Sequence, residues 1–287
     1  TMQIIRDVET VPRGVYTGAI GFLAPGGEAA FSVPIRTLEQ EADGRARLGV
    51  GSGVVADSRP GAEYRECLAK AAFLRPRVKP VELLETFRWS PGGGFLRLDR
   101  HLERQAGSAA FFGMPYESAE VRRILRQEAA GWSRETRVRL LVDARGRAYV
   151  EARPLTNGPG ADPAVALSSR RVHSRNPFLY HKTTHREAYD RAWADARARG
   201  LADVLFTNEH GRLTEGAIAN LFVRKRGRWL TPPCRDGLLN GVARSELLAS
   251  PHLRVVETLL RPRDLFEADE IRLANSVRGW FRVHLVR

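Results

Sequence analysis

The stretch FLYHKTTHREAYDRAW, residues 178–193, holds a lysine in a chain that hardly uses one. Lys70, Lys79, Lys182 and Lys225 are the only lysines among 46 Lys and Arg, so arginine carries nearly every ordinary cationic role. Thr184 and Glu187 have the spacing of a capping box. Tyr189, Ala192, Trp193 and Ala196 then recur on one helical face, so a helix is predicted to open just after Lys182. An arginine there could hold an anion, but its guanidinium stays protonated. A desolvated lysine can lose its proton and form a Schiff base with a carbonyl. A surface lysine would fit the pattern equally well, so the reading turns on partners elsewhere in the chain.

Two later stretches supply them. GRLTEGAIANLF, residues 211–222, sets Glu215 in a strand of apolar and small residues, where a carboxylate is costly unless it meets a cation. LLNGVARSELL, residues 238–248, runs from Gly241 straight into a helix, and the free N–H groups of a helix start suit a phosphate. Each has a plain alternative: Glu215 could pair with an arginine, and Gly241 could merely ease a loop. Together, an imine-forming lysine, a buried carboxylate facing a ring nitrogen and an anion-binding helix start are the three demands of pyridoxal phosphate.

Composition bounds the rest. With 287 residues and 43% hydrophobic content, the chain is long enough for about two globular domains. No apolar run approaches the roughly 20 residues of a membrane span, and the opening TMQIIRDVET lacks the regions of a signal peptide, so a cytoplasmic location is expected. Cys67 and Cys234 stand alone, which argues against a disulfide framework or a zinc site, and no metal is expected. The formal charge of +13 raises the question of nucleic acid. Its densest cluster, VRKRGRW at 223–229, reads as a solvated hairpin tip without interleaved aromatics to stack bases, so no nucleic-acid partner is expected. An anionic small-molecule substrate suits the same charge.

Along the chain, residues 1–75 read mostly as strands in GVYTGAIGFLAP, EAAFSVPIRTLEQE and GRARLGVGSGVVAD, followed by a helix that Pro60 opens. Residues 80–155 read as a small α+β domain: strand ELLETFRW, helix FLRLDRHLERQAGSAAFFG, a second helix, and an antiparallel pair turning at Arg145-Gly146. TNGPGADP, 156–163, reads as a linker, and residues 164–287 as a larger α/β domain.

Residues 81–287 resemble class IV, branched-chain-aminotransferase-like pyridoxal phosphate enzymes. The pieces that carry the resemblance are ETFRW (85–89), LDRHLERQ (98–105), RNPFLYHKTT (175–184), LTEGAIANLF (213–222), LLNGVAR (238–244) and ANSVRG (274–279), in family order. The resemblance implies fold type IV, with Lys182 attached to the cofactor, Arg104 on its phosphate and Glu215 on its pyridine nitrogen. It also implies backbone N–H groups of Val242 and Ala243 and the Ser276 hydroxyl at the phosphate. The family usually has Pro where Asn240 stands and often Thr or Leu at position 243; backbone contacts survive both departures. Arg88, Arg175 and Arg278 lie in the motif stretches and are candidates for substrate carboxylates. SRNPFLYHKTT and NSVRG resemble the aminodeoxychorismate lyases, which implies release of para-aminobenzoate and pyruvate in folate biosynthesis, and family membership implies a homodimer. An amino-acid transaminase acting on D- or branched-chain amino acids would use the same cofactor residues.

The first segment resembles the C-terminal end of chorismate-utilising enzymes such as aminodeoxychorismate synthase component I, through PRGVYTGAIGF, IRT at 35–37 and GSGVVADSRPGAEYRECLAKA at 51–71. That resemblance implies a mainly β remnant with Arg36 from a chorismate site, Glu66 from a magnesium site and Lys70 beside it. The order of the pieces, synthase end followed directly by lyase, is that expected of a bifunctional fusion cut at its front, and Thr1 before Met2 reads as an added residue. Glu63, Glu66 and Lys70 share one face of a helix, and a surface pair is expected there rather than a working magnesium site. A noncatalytic chorismate-binding or assembly module would rest on this segment alone.

Overall fold

The computed structural model describes residues 2–9, 11–74, 79–155, 160 and 163–286. The chain divides into two compact units, Thr1–Lys79 and Pro80–Arg287. The linker read at 156–163 lies outside the described residues except for positions 160 and 163.

The first unit contains helix α1 (Met2–Val8), two short antiparallel hairpins formed by β1 (Ile20–Leu23) with β2 (Ala29–Ser32) and β3 (Leu38–Gln40) with β4 (Ala46–Leu48), and helix α2 (Pro60–Ala71). Pro60 opens α2 as read. The strands are shorter than the stretches read as strands, because left-handed residues at Gly14, Thr17 and Arg36 turn the backbone out of the extended region. Helix α1 was not anticipated. Lys70 Nζ lies 2.7 Å from Glu66 Oε1 and also donates to the Gly51 carbonyl at 2.9 Å, so this cation is tied up locally.

The second unit begins with a four-stranded antiparallel sheet, order β6-β5-β7-β8, built from β5 (Leu83–Ser90), β6 (Gly94–Phe95), β7 (Thr136–Val142) and β8 (Ala148–Pro154). Helices α3 (Leu98–Phe111) and α4 (Ser118–Ala129) follow β6 in the chain. Strict alternation along TRVRLLV buries Thr136, Val138, Leu140 and Val142 on one face. There Val138 and Leu140 join Leu83 and Phe87 from β5 with Leu102 and Leu125 from the two helices. The β7–β8 turn falls at Arg145-Gly146 as read: Gly146 takes φ 79°, and Asp143 Oδ1 accepts from the N–H groups of Arg145 and Arg147 at 2.9 Å.

The larger part holds β9 (Ala164–Val172), α5 (Glu187–Ala198), β10 (Asp203–Asn208), β11 (Leu213–Gly216), β12 (Asn220–Lys225), β13 (Arg228–Thr231), α6 (Val242–Ala249), β14 (Val256–Glu257), α7 (Pro262–Phe266), β15 (Glu270–Asn275) and β16 (Gly279–Leu285). The strands run in the order β11-β10-β9-β16-β15-β12-β13-β14, and β11 also bridges β12 through Glu215 and Asn220. The sheet therefore closes six of its strands into a ring. Val165, Leu205, Leu213, Leu221, Leu273 and Val283 fill it with apolar volume. At the β12–β13 turn Arg226 and Gly227 both have positive φ (49° and 75°), as a two-residue hairpin demands, and Lys225 is neutralised by Asp264 at 2.7 Å and Glu267 at 2.8 Å.

One local reading is corrected. Helix α5 begins at Glu187 behind Arg186, with no side-chain cap, and Thr184 does not cap it. The backbone of residues 182–184 is recruited by β5 instead: Leu84 N–H donates to Lys182 O at 2.8 Å, and Thr184 N–H donates to Glu82 O at 2.9 Å. The helix opens two residues later than the capping-box spacing requires, and the buried Thr184 hydroxyl has no hydrogen-bond partner among the described residues. The apolar face of α5 stands as read, with Tyr189, Ala192, Trp193 and Ala196 all packed in one cluster.

Leu205 is fully buried at the centre of the ring. Leu205→Ala should lower unfolding free energy by about 2–5 kcal/mol in urea titration, with an unchanged slope; a loss below about 1 kcal/mol would contradict the closed packing.

Candidate active site

The floor of the site is set where the ring closes. Glu215 ends up 8% exposed on β11, opposite Asn220 on β12. Asn220 Nδ2 donates to Glu215 Oε2 at 3.0 Å and to Leu239 O at 2.9 Å, while the Leu239 N–H donates to Glu215 Oε1 at 3.1 Å. Burial raises the Glu215 carboxyl to about 7, against the opposing effects of the Leu239 N–H and the charges of Arg186 and Lys182. A carboxyl in this state has hydrogen bonds but, among the described residues, lacks a cation in direct contact. Asp203, also buried, folds the loop after Glu215 by accepting from Val204 N–H and Ala217 N–H at 2.8 Å and from Ile218 N–H at 3.3 Å.

Lys182 reaches this region from the segment paired to β5. Burial is the largest effect on its amine, and the positive charges of Arg186 and Arg104 push the same way, so the amine falls to about 7. Arg186 is held in place by Asp190 at 2.8 Å and the Ala217 carbonyl.

Arg104 projects from α3. Its Nε and Nη2 donate to the two oxygens of Glu85 at 2.8 and 2.6 Å, and its Nη1 donates to the Asn240 carbonyl at 3.1 Å. Glu85 is 1% exposed and also meets His101 Nδ1 at 2.6 Å. Despite burial, Arg104 and His101 hold its carboxyl down at about 2. Through Asn240, Arg104 stands beside Gly241, the N-cap of α6, and Val242 and Ala243 are the first two residues of that helix, where N–H groups have no partner within it. A Cβ at Gly241 would lie 2.0 Å from Asn220 Oδ1, so glycine is needed for this close approach. Ser276 is buried in the turn after β15, two residues beyond Ala274, the cross-strand partner of Asn220.

Lys182, Arg104, Glu215, Val242, Ala243 and Ser276 are thus brought to one end of the ring and the adjoining edge of the small sheet. Arg88 lies on β5 with Glu135 as a distant partner at 3.9 Å, Arg175 is exposed, and Arg278 is half-buried in the Ser276 turn. Sequence reasoning missed Glu85, His101 and Asn220. The argument that singled out Glu215, a carboxylate in an apolar strand, applies equally to Glu85 in ELLETFRW. Among the described residues no cluster of His, Cys, Asp and Glu could hold a metal ion, and no helix is long and apolar enough to cross a membrane.

Comparison with known proteins gives this constellation its class. Residues 82–286 match the amino-transferase class IV family, and the chain belongs to that family, whose fold binds pyridoxal phosphate. A putative amino-acid aminotransferase from Mesorhizobium loti is similar in structure, with 36% identity and a TM-score of 0.68 over 72% of this chain and 100% of that one. A putative aminodeoxychorismate lyase from Schizosaccharomyces pombe is 28% identical over 190 residues, 65% of this chain and 82% of the relative. Residues 1–76 match the chorismate binding enzyme family. There anthranilate synthase component 1 of Streptomyces coelicolor is 42% identical over 81 residues, but the chain spans only 16% of that relative.

The residues fit the cofactor. An amine lowered to about 7 suits a carbonyl carbon, a buried carboxyl without a contacting cation among the described residues suits a protonated ring nitrogen, and a glycine-capped helix start beside Arg104 suits a phosphate. In cofactor-free protein, Lys182 should acylate faster at pH 7.5 than Lys70 and Lys225, whose amines are raised by Glu66 and by Asp264 with Glu267. Its rate should level off by about pH 8, as an amine titrating near 7 becomes neutral. Peptide mapping after brief acylation checks this; a Lys182 rate still climbing at pH 10 would contradict it.

Proposed function

We propose that residues 80–287 form a pyridoxal phosphate-dependent 4-amino-4-deoxychorismate lyase, with 80–155 as its small lobe and 164–287 as its large lobe. The observation that carries the chemistry is the Lys182 amine, brought to about 7 in the same site as the buried Glu215. Similarity to a putative lyase along 82% of that relative's length supports the choice of reaction.

When bound, the cofactor supplies a protonated ring that accepts electron density from the substrate carbon next to the nitrogen. Arg104 and the N–H groups of Val242 and Ala243 bind its phosphate, and Ser276 adds a hydroxyl. Glu215 holds the proton on the ring nitrogen, and Asn220 with the Leu239 N–H fixes the carboxylate that does so. Lys182, displaced by the substrate amine, takes the proton from the ring carbon that bears that amine. The electron pair of that C–H bond becomes a ring double bond as the C–O bond on the neighbouring carbon breaks. The leaving enolpyruvate gains a proton, for which Lys182 as its conjugate acid is the donor, and becomes pyruvate. Aromaticity of the remaining ring drives the step.

A second reading, amino-acid transamination, is favoured by the 36% identity to a putative aminotransferase covered over its whole length. Both readings place the enzyme in the cytoplasm as a homodimer. Residues 1–79 taken by themselves are proposed to have no chorismate turnover: Glu66 is paired with Lys70, and two carboxylates on an exposed helix bind magnesium poorly.

The assay is release of pyruvate and 4-aminobenzoate from 4-amino-4-deoxychorismate. Wild-type protein should release both in equal amounts, Lys182→Ala should release neither, and Glu215→Gln should keep cofactor while slowing turnover by about two orders of magnitude or more. Amino transfer from D-alanine or a branched-chain amino acid to a keto acid, without pyruvate release from aminodeoxychorismate, would replace the lyase reading by the second one.

A further inference from the structure

Leu239, Asn240 and Gly241 carry both ends of the site on consecutive peptide groups. Leu239 is tied to the carboxyl end, where its N–H donates to Glu215 and its carbonyl accepts from Asn220. Gly241 opens α6 at the other end. Asn240 sits between them in a tight turn, across which the Gly241 N–H donates to Leu239 O at 2.9 Å. Its own carbonyl accepts from Arg104 Nη1 at 3.1 Å. The bonds from Arg104 to Glu85 on β5 fix the plane of the guanidinium within the small sheet. The bond to Asn240 sets its position against α6, and a second N–H on each terminal nitrogen is left for a ligand.

A carbonyl can place an arginine only if its own peptide is held. The Asn240 side chain does this, although the residue is exposed. Its Oδ1 accepts from Arg244 Nη1 at 2.9 Å and from Ser245 Oγ at 3.2 Å. Arg244 is 1% exposed, and its Nη2 donates to Pro232 O at 2.8 Å, just past β13, and to Glu257 on β14. Bonds from a buried guanidinium to two strand ends make a rigid anchor. They also divert the asparagine. An Asn beside a helix start ordinarily competes for the first N–H groups of the helix, but this one is engaged by side chains, and Gly241 has no side chain to offer. The N–H groups of Val242 and Ala243 are left open to an anion.

We propose that Asn240, with its side chain anchored by Arg244, is the positioning residue that sets the distance between Arg104 and the start of α6, and so fits this end of the site to a phosphate monoester. The inference rests on the cofactor phosphate lying there, and holds whichever reaction follows. Because Leu239 is bonded to Glu215, the same turn also fixes the span from the phosphate to the carboxyl that meets the ring nitrogen. Releasing the Asn240 side chain leaves every phosphate ligand in the chain but lets the carbonyl swing, so Arg104 and the helix start no longer converge on one anion.

The test uses the full chain freed of cofactor and two probes, pyridoxal phosphate and pyridoxal, which share the aldehyde and the ring nitrogen and differ by the phosphate. Absorbance titration of wild type should show pyridoxal phosphate bound about a hundredfold or more tighter. Asn240→Ala keeps the backbone carbonyl and removes the oxygen that Arg244 holds. It should weaken pyridoxal phosphate about tenfold and change pyridoxal less than about twofold. Inorganic phosphate should compete with pyridoxal phosphate in wild type, and about tenfold less well in Asn240→Ala. Arg244→Met should show the same selective loss, and the double variant should lose less than the product of the two. Damage to the fold would instead weaken both probes alike, so the ratio of the two affinities separates positioning from stability. An unchanged ratio in Asn240→Ala would overturn the role of Asn240 and leave the phosphate site in place. Equal affinity of wild type for the two probes, with no competition from phosphate, would overturn the phosphate placement and this inference with it.

Discussion

The bond between β11 and β12, made by Glu215 and Asn220, is the constraint on which the rest of the site depends. It closes the strand ring, and in doing so takes a carboxylate out of water. Hydrogen bonds from Asn220 and Leu239 fix the direction of that carboxylate without neutralising it. The same asparagine reaches the Leu239 carbonyl and lies so close to Gly241 that no side chain fits there, so the start of α6 is placed by the residue that orients Glu215. One short contact therefore positions both a cation-seeking carboxyl and an anion-seeking helix start.

The small sheet completes the arrangement by two separate links. Backbone pairing of β5 with residues 182–184 delivers Lys182, and the Glu85–Arg104 pair delivers a guanidinium to Asn240. Arg97 adds an ion pair to Glu246 on α6. Glu85 and Glu215 show how environment divides the work of like groups. Both are buried carboxyls in strands, yet direct contact with Arg104 and His101 takes one down to about 2, while the other, with amide donors only, rises to about 7. The first is already satisfied within the protein, and the second is available to a ligand.

Much of this was legible in the sequence wherever a residue is chemically out of place in its surroundings. Lys182 stood out against arginine, Glu215 against apolar neighbours and Gly241 against a helix start, and turn chemistry located the hairpins at Arg145-Gly146 and Arg226-Gly227. The resemblance to class IV enzymes then supplied roles for Arg104, Val242, Ala243 and Ser276 that no local pattern contains. What escaped notice depends on long-range pairing. Thr184 has good capping chemistry, but its backbone is taken by β5; Asn220 looks like a turn residue until β12 is laid against β11. The strands of the first unit were overextended in the reading because Thr17 and Arg36 give no local sign of their positive φ.

The claim that one lysine is built to hold the cofactor is tested most directly by mapping its attachment. Protein loaded with pyridoxal phosphate, reduced with borohydride and digested should carry the phosphopyridoxyl group on the peptide containing Lys182 at one equivalent per chain. Attachment spread over Lys70, Lys79 and Lys225, or absent from Lys182, would contradict the account.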